Sequence, residues 1–350
     1  MKNLNVIVVL LGVVAVFVLG VILQELRSVL LPFSVAMLLS IVFRPVVFFL
    51  KARRIPTVFS LLVVLLSLTL VLVLFGMLVF SSARSFTDAL PRYQQRIEVV
   101  VDDAEDSLKQ LAESLGIGEE DFKIGDLIQV STVTAALSSG VGSFLSFLGN
   151  IFLVILFMLF ILAGTGDLDS KVEVAFSPEV AERIATVVRN ITAQVRQYLV
   201  TKTLISAATG FLIFLILWIL GVDFPLLWGF LAFLLNYIPN IGSLLSVVLP
   251  FLLSLLQFDT LTRPILALVL METVQIVMGN VIEPRMMAFS LNLSPLLVLV
   301  SLIFWGSLWG IVGMVLAVPL TATVKIFLEN IEPLRPVAVL MGGEIKAKGG

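Results

Sequence analysis

Glu272 is the one acid well inside an apolar run, Ile265–Met278. Gln275, Gly279 and Glu283 follow it at i+3, i+7 and i+11, a single helix face at about 100° per residue. An ionisable group at membrane depth is a functional candidate because its burial there is costly. A carboxylate in such a place suits a cation or a proton; its plainer role is a hydrogen bond that glues two helices. Asn236 and Asn240 flank the break Tyr237-Ile-Pro239-Asn-Ile-Gly242. Their amides can ligate a solute or simply cap the interrupted helix. Asn280 is a further candidate ligand beside Gly279. Glu283-Pro284-Arg285 can hold the inner end of the helix by pairing acid with base, or form a solvated loop at the interface. Classical nucleophilic and metal chemistry has little to work with. With no His and no Cys, a Ser-His-Asp triad, an imidazole metal site and a thiolate site are excluded, and no cofactor is implied.

These groups sit in a chain built for lipid. Of 350 residues, 59% are hydrophobic and 13% charged, against about 45–50% and about 25% in soluble domains. A water-soluble globule could not cover its surface with so little charge. The net charge of −2 gives no nucleic-acid footprint. Spans of about 20 apolar residues are readable at Val6–Leu23, Val29–Leu50, Val58–Phe80, Phe144–Ala163, Leu204–Leu220 and Ile265–Met278. The first is read as a retained span, because Gln24-Glu25-Leu26-Arg27 follows it and not a small-residue cleavage pattern. Phe224–Phe258 and Leu293–Leu328 are too long for one ordinary span and barely long enough for two.

Lys51, Arg53 and Arg54, with Arg44 nearby, place the loop after the second span in the cytoplasm. Arg44 itself is expected to snorkel to the headgroups. Both termini then lie inside and residues 81–142 outside, a region with five basic against eleven acidic residues. Within it Leu90, Tyr93, Ile97, Val101, Ala104, Leu108, Leu111 and Leu115 form a stripe at steps of three and four. The stripe packs on Leu127–Leu137 of its own chain or on another subunit. After the fourth span, Ser177-Pro178-Glu179 reads as a helix start, and helix is expected to continue into the fifth span without a break. Val180, Ile184, Val187, Ile191, Val195 and Tyr198 form its apolar stripe, with Glu182, Arg183, Arg189, Arg196 and Lys202 on the wet side.

The C-terminal half reads as one unit written twice: a single apolar helix, then a hairpin broken by Gly, Pro or Asn. The first break is Asn236–Gly242, with Pro239 inside it; the second is the Gly306/Gly310/Gly313 tract. Pro225 to Pro250 is 25 steps and Pro295 to Pro319 is 24. Counting sides of the membrane makes the two units inverted, the pattern of a secondary transporter with a mid-membrane site. Ordinary tight-turned hairpins are the plainer alternative. Irregular backbone at that depth must face protein or water, so the two breaks are expected to meet with Glu272 facing the space between.

Asn236-Tyr-Ile-Pro-Asn-Ile-Gly242, Gly279-Asn-Val-Ile-Glu-Pro-Arg285, Ser294-Pro295 and the glycine tract before Pro319 resemble the autoinducer-2 exporter-like family of bacterial permeases. The resemblance implies an inner-membrane permease for a small furanone-type signalling molecule, or a sodium(lithium)/proton antiporter, working as a homo-oligomer. It also implies no ATP-binding module, in keeping with the absence of a Gly-x-x-x-x-Gly-Lys-Ser/Thr motif.

The expectation is therefore an all-α polytopic membrane protein of about 8 spans, including the two broken or re-entrant hairpins. Its divisions are 1–83 (three helices), 84–142 (exterior insert), 143–176 (fourth helix and turn), 177–203 (amphipathic helix), 204–330 (transport core) and 331–350 (tail). The function expected is secondary transport, open to coupling with Na+ or H+ and not enzymatic; a membrane scaffold is the non-transport alternative. The partners are the bilayer, a small solute or ion, and further copies of the chain.

Overall fold

The computed structural model describes residues 12, 14, 18–114, 151–164, 171–287 and 291–343, with only the backbone for part of 79–114. Most of the expected first span, the Leu127–Leu137 segment and Leu115 lie outside the described residues. Among the described residues there is helix and no strand. Five helices among the described residues are long and apolar enough to cross a membrane, and three shorter ones are apolar. This is a polytopic helical membrane protein.

Helix α1 (Arg27–Ala52) carries Pro32 and Pro45 within it. It ends where Arg54 turns left-handed (φ 63°) and Arg53, Arg54 and Ile55 return their N–H groups to the Leu50 and Lys51 carbonyls. Helix α2 (Thr57–Ser114) then runs 58 residues without a break, about 87 Å at 1.5 Å per residue. That far exceeds the roughly 30 Å of a bilayer core, so the third span and the exterior stripe are one rod. The polar residues after Phe80 end its apolar stretch and leave the helix intact. Pro91, inside the rod, costs it a backbone hydrogen bond. Helix α3 (Ile151–Gly164) is shorter. Helix α4 (Pro178–Leu220) spans 43 residues, joining the amphipathic stretch to the fifth span as expected. The remaining helices are α5 (Pro225–Leu235), α6 (Ile241–Gln257), α7 (Thr262–Met287), α8 (Pro295–Glu329) and the short α9 (Arg335–Leu340). Within α7, residues Val277–Ile282 wind as a π-helix. Such a turn inserts an extra residue and is frequent at functional places.

The chain divides into two compact units. One holds residues 1–68, 150–205 and 282–350. Its core includes Ala36, Val47, Val64, Met158 and Leu162 where α1, the start of α2 and α3 meet. A second cluster places Leu38, Ile41 and Val195 with Leu308, Trp309 and Leu316 of α8. The other unit holds 69–149 and 206–281. Its core is Ile213, Leu217, Ala232, Val247, Ala267 and Met271, drawn from α4, α5, α6 and α7.

Each unit contains one of the two broken hairpins, and they are built alike. Both begin with Pro at the first helical position, Pro225 or Pro295. Fifteen residues later each chain reverses through a left-handed residue, Asn240 (φ 62°) or Gly310 (φ 65°). A glycine just beyond the reversal lies against a backbone carbonyl of the first arm. A Cβ on Gly242 would strike the Leu235 carbonyl, and one on Gly313 the Trp305 carbonyl. Leu235 and Trp305 each stand ten residues after their proline. Gly310 adopts φ 65° with ψ −146°, a region open in practice to glycine alone. In the second hairpin Trp305 Nε1 donates to Thr321 Oγ1 at 3.1 Å and ties the arms together.

Candidate functional site

The first hairpin carries a string of neutral polar groups in its apolar unit. Gln275 of α7 is buried, and its Nε2 donates to Ser246 Oγ of α6 at 2.6 Å. The Ser246 hydroxyl donates onward to the Ser243 carbonyl at 2.8 Å. Ser243 Oγ donates to the Asn240 carbonyl at 2.9 Å, at the reversal itself. On the other side of the break, buried Asn236 donates Nδ2 to Ser206 Oγ of α4 at 3.0 Å. The backbone can approach closely here: Gly210 of α4 meets Gly229 of α5 carbonyl against Cα, with no room for a Cβ on either. Buried amides and hydroxyls persist when paired, and each can exchange its partner for a hydroxyl-bearing solute at modest net cost.

The buried face of α7 is Pro264, Ala267, Met271 and Gln275, a run at steps of three and four. Glu272 is one position off that face, exposed, and makes no hydrogen bond or ion pair among the described residues. Asn280 and Gly279 are exposed in the π-helical turn, and the Asn240 side chain is exposed at the reversal; Pro239 is half-buried and Gly242 buried. In the second hairpin Gly306 packs 3.0 Å from Met314 when given a Cβ. The two breaks belong to different compact units.

Glu283 binds a base, and the base is Lys202 of α4 at 2.5 Å. Pro284 and Arg285 are exposed, so an acid–base pair within the motif is not what forms. The wet position expected of Lys202 is overturned too: its side chain is 4% exposed. The reason is periodicity. Lys202 continues the stripe Ile191, Val195, Tyr198 at the next step of four, so the helix carries it into the packed face. Its charge is tolerated there because Glu283 meets it.

Residues 7–332 match the family described as AI-2E family transporter. The chain belongs to the AI-2E transporter family. It is 33% identical over 335 residues to AI-2 transport protein TqsA of Escherichia coli (strain K12), covering 96% of this chain and 95% of that protein. It is 32% identical over 318 residues to YhhT of the same organism, named provisionally as a transport protein, covering 90% of this chain and 88% of YhhT. A similarly named Borreliella burgdorferi protein is 32% identical over 255 residues, covering 73% and 68%. As an AI-2E family member, the chain is a multi-pass membrane transport protein.

Proposed function

We propose that this AI-2E family member is a secondary transporter of the bacterial inner membrane that moves a small, neutral, hydroxyl-rich solute of the furanone signalling type. The observation that carries the reading is the Gln275–Ser246–Ser243–Asn240 string at the first reversal. It offers donors and acceptors without charge, which suits a polyol-like solute better than a bare cation. The similarity to a protein named for AI-2 transport supports the same class of substrate. A sodium/proton exchange reading would need a carboxylate in the string, and Glu272 is exposed off it. The matched hairpins, with proline, left-handed residue and carbonyl-contacting glycine at corresponding steps, support a hairpin unit used twice. The pair Lys202–Glu283 is proposed to hold α4 to the end of α7 while the solute site works.

The test is uptake of the labelled furanone by proteoliposomes. Gln275→Leu removes the donor to Ser246 and should lower transport about tenfold, the worth of one well-made hydrogen bond to a solute site. Unchanged uptake in a folded Gln275→Leu protein would remove the string from the reading.

A further inference from the structure

A cavity lies wholly within the first compact unit. It has a volume of about 1340 Å³ and lies between the C-terminal half of α1 and the first five turns of α4. Three arginines line it: Arg44 of α1, and Arg189 and Arg196 of α4. Arg44 lies over the Phe48 ring at 5.4 Å. Arg189 leans on Thr186 Oγ1 at 3.1 Å. Neither Arg44 nor Arg196 meets a carboxylate among the described residues. Two acids, Glu173 and Glu182, also line the cavity, and the placement of Glu182 along α4 is informative. Glu182, Arg189 and Arg196 are spaced seven residues apart, about 10 Å per step, and the apolar run begins at Leu204. Along α4 the acid Glu182 therefore stands farther from the apolar run than Arg189 and Arg196 do. The walls between them are apolar: Ile41, Ile184 and Val188. Ile41 belongs to the apolar part of α1, and the cluster Lys51, Arg53, Arg54 marks where that helix leaves the membrane.

We infer that this cavity is a binding site for the headgroup of an anionic phospholipid, its phosphate held by Arg44, Arg189 and Arg196 and its acyl chains running along Ile41 and Phe48. Charge complementarity argues for that occupant. Guanidinium groups recognise phosphate with paired N–H donors, and basic pockets between membrane helices hold acidic headgroups. The apolar walls would be wasted on a free anion. The graded order of acid outside and base inside matches a headgroup at the interface.

Detergent-purified full-length protein, incubated with equal amounts of phosphatidylglycerol and phosphatidylcholine, would be examined by native mass spectrometry. The wild type should retain phosphatidylglycerol in preference. Each of Arg189→Gln and Arg196→Gln should lower that preference about fivefold, the effect expected of one basic residue near the surface. Both residues are exposed, so these variants keep the fold, which size-exclusion and thermal unfolding would verify. Arg335→Gln, distant in sequence and exposed, should leave the preference unchanged. Equal loss from Arg335→Gln, or retention unaffected by the two α4 variants, would overturn the inference. So would competition by inorganic phosphate as effective as the lipid, which would mean a free-anion site. A change in oligomeric mass with lipid preference intact would mean instead that a second copy fills the groove.

Discussion

A lysine with 4% of its side chain exposed stays charged only beside an acid, and Lys202 has Glu283 at 2.5 Å. Removing one partner leaves the other buried without compensation, at a cost of about 3–5 kcal/mol. Glu283→Gln should therefore destabilise the protein by up to that amount in chemical unfolding. Lys202→Met combined with Glu283→Gln should recover most of the loss, because neither charge then remains buried; a double variant as unstable as the single one would contradict this. Tyr93 offers a second test. Burial, and then its hydrogen bond to Asp223 at 2.6 Å, push the phenol above its ordinary value of 10.0. The folded protein thus holds this proton more tightly than the unfolded chain does. The contribution is complete below about pH 10 and is lost as pH rises further. Stability of the wild type should fall more steeply than that of Tyr93→Phe above pH 10, and parallel curves would disprove the linkage. At this scale the sequence was readable only in part. Glu272 attracts attention as an acid in an apolar run, yet its neighbour positions 264, 267, 271 and 275 set the packed face. The charge of Lys202 points to water, whereas its place on the Ile191–Val195–Tyr198 stripe decides its burial. In both cases periodicity outweighs residue type.

The elements were more legible. Long apolar runs can do little but form helices in lipid, since every backbone group must find a partner within the chain. Pro225, Pro295 and the Gly and Asn residues midway through the tracts mark where those helices start and reverse. The continuity of α2 through residues 81–90 was harder to see. A polar stretch looks like a loop beside 23 apolar residues, but helix needs only internal hydrogen bonds and no fatal proline, and Pro91 is tolerated within the rod. The hairpins make a sharp prediction. Gly310→Ala puts a side chain on a backbone that excludes it and should cost about 1–3 kcal/mol. Gly242→Ala and Gly313→Ala drive a methyl group into a carbonyl of the opposite arm and should open their hairpins. Gly279→Ala, with open space around it, should leave thermal unfolding unchanged. Equal tolerance at all four positions would mean the reversals are not as tight as described.

For the whole molecule, assembly is the expectation that hangs on the long rod α2. Within the chain, Tyr93 and Ala89 pack against Leu253, Phe224 and Trp228, and Arg96 pairs with Asp259 at 3.2 Å. These contacts dock the base of the exterior stripe on its own unit. The positions beyond it are proposed to meet other copies. Replacing Leu108 and Leu111 with Lys should lower the mass of the detergent-purified assembly, and an unchanged mass would count against a subunit role for the stripe. Transport itself is proposed to rest on the neutral string around the first reversal. The most direct measurement is uptake of a labelled furanone signal by proteoliposomes carrying wild type, Gln275→Leu or Glu272→Gln, with and without a sodium or proton gradient. The account predicts uptake lowered about tenfold by Gln275→Leu, near-normal uptake with Glu272→Gln, and no dependence on either gradient. Gradient-dependent uptake abolished by Glu272→Gln, with Gln275→Leu unaffected, would contradict it.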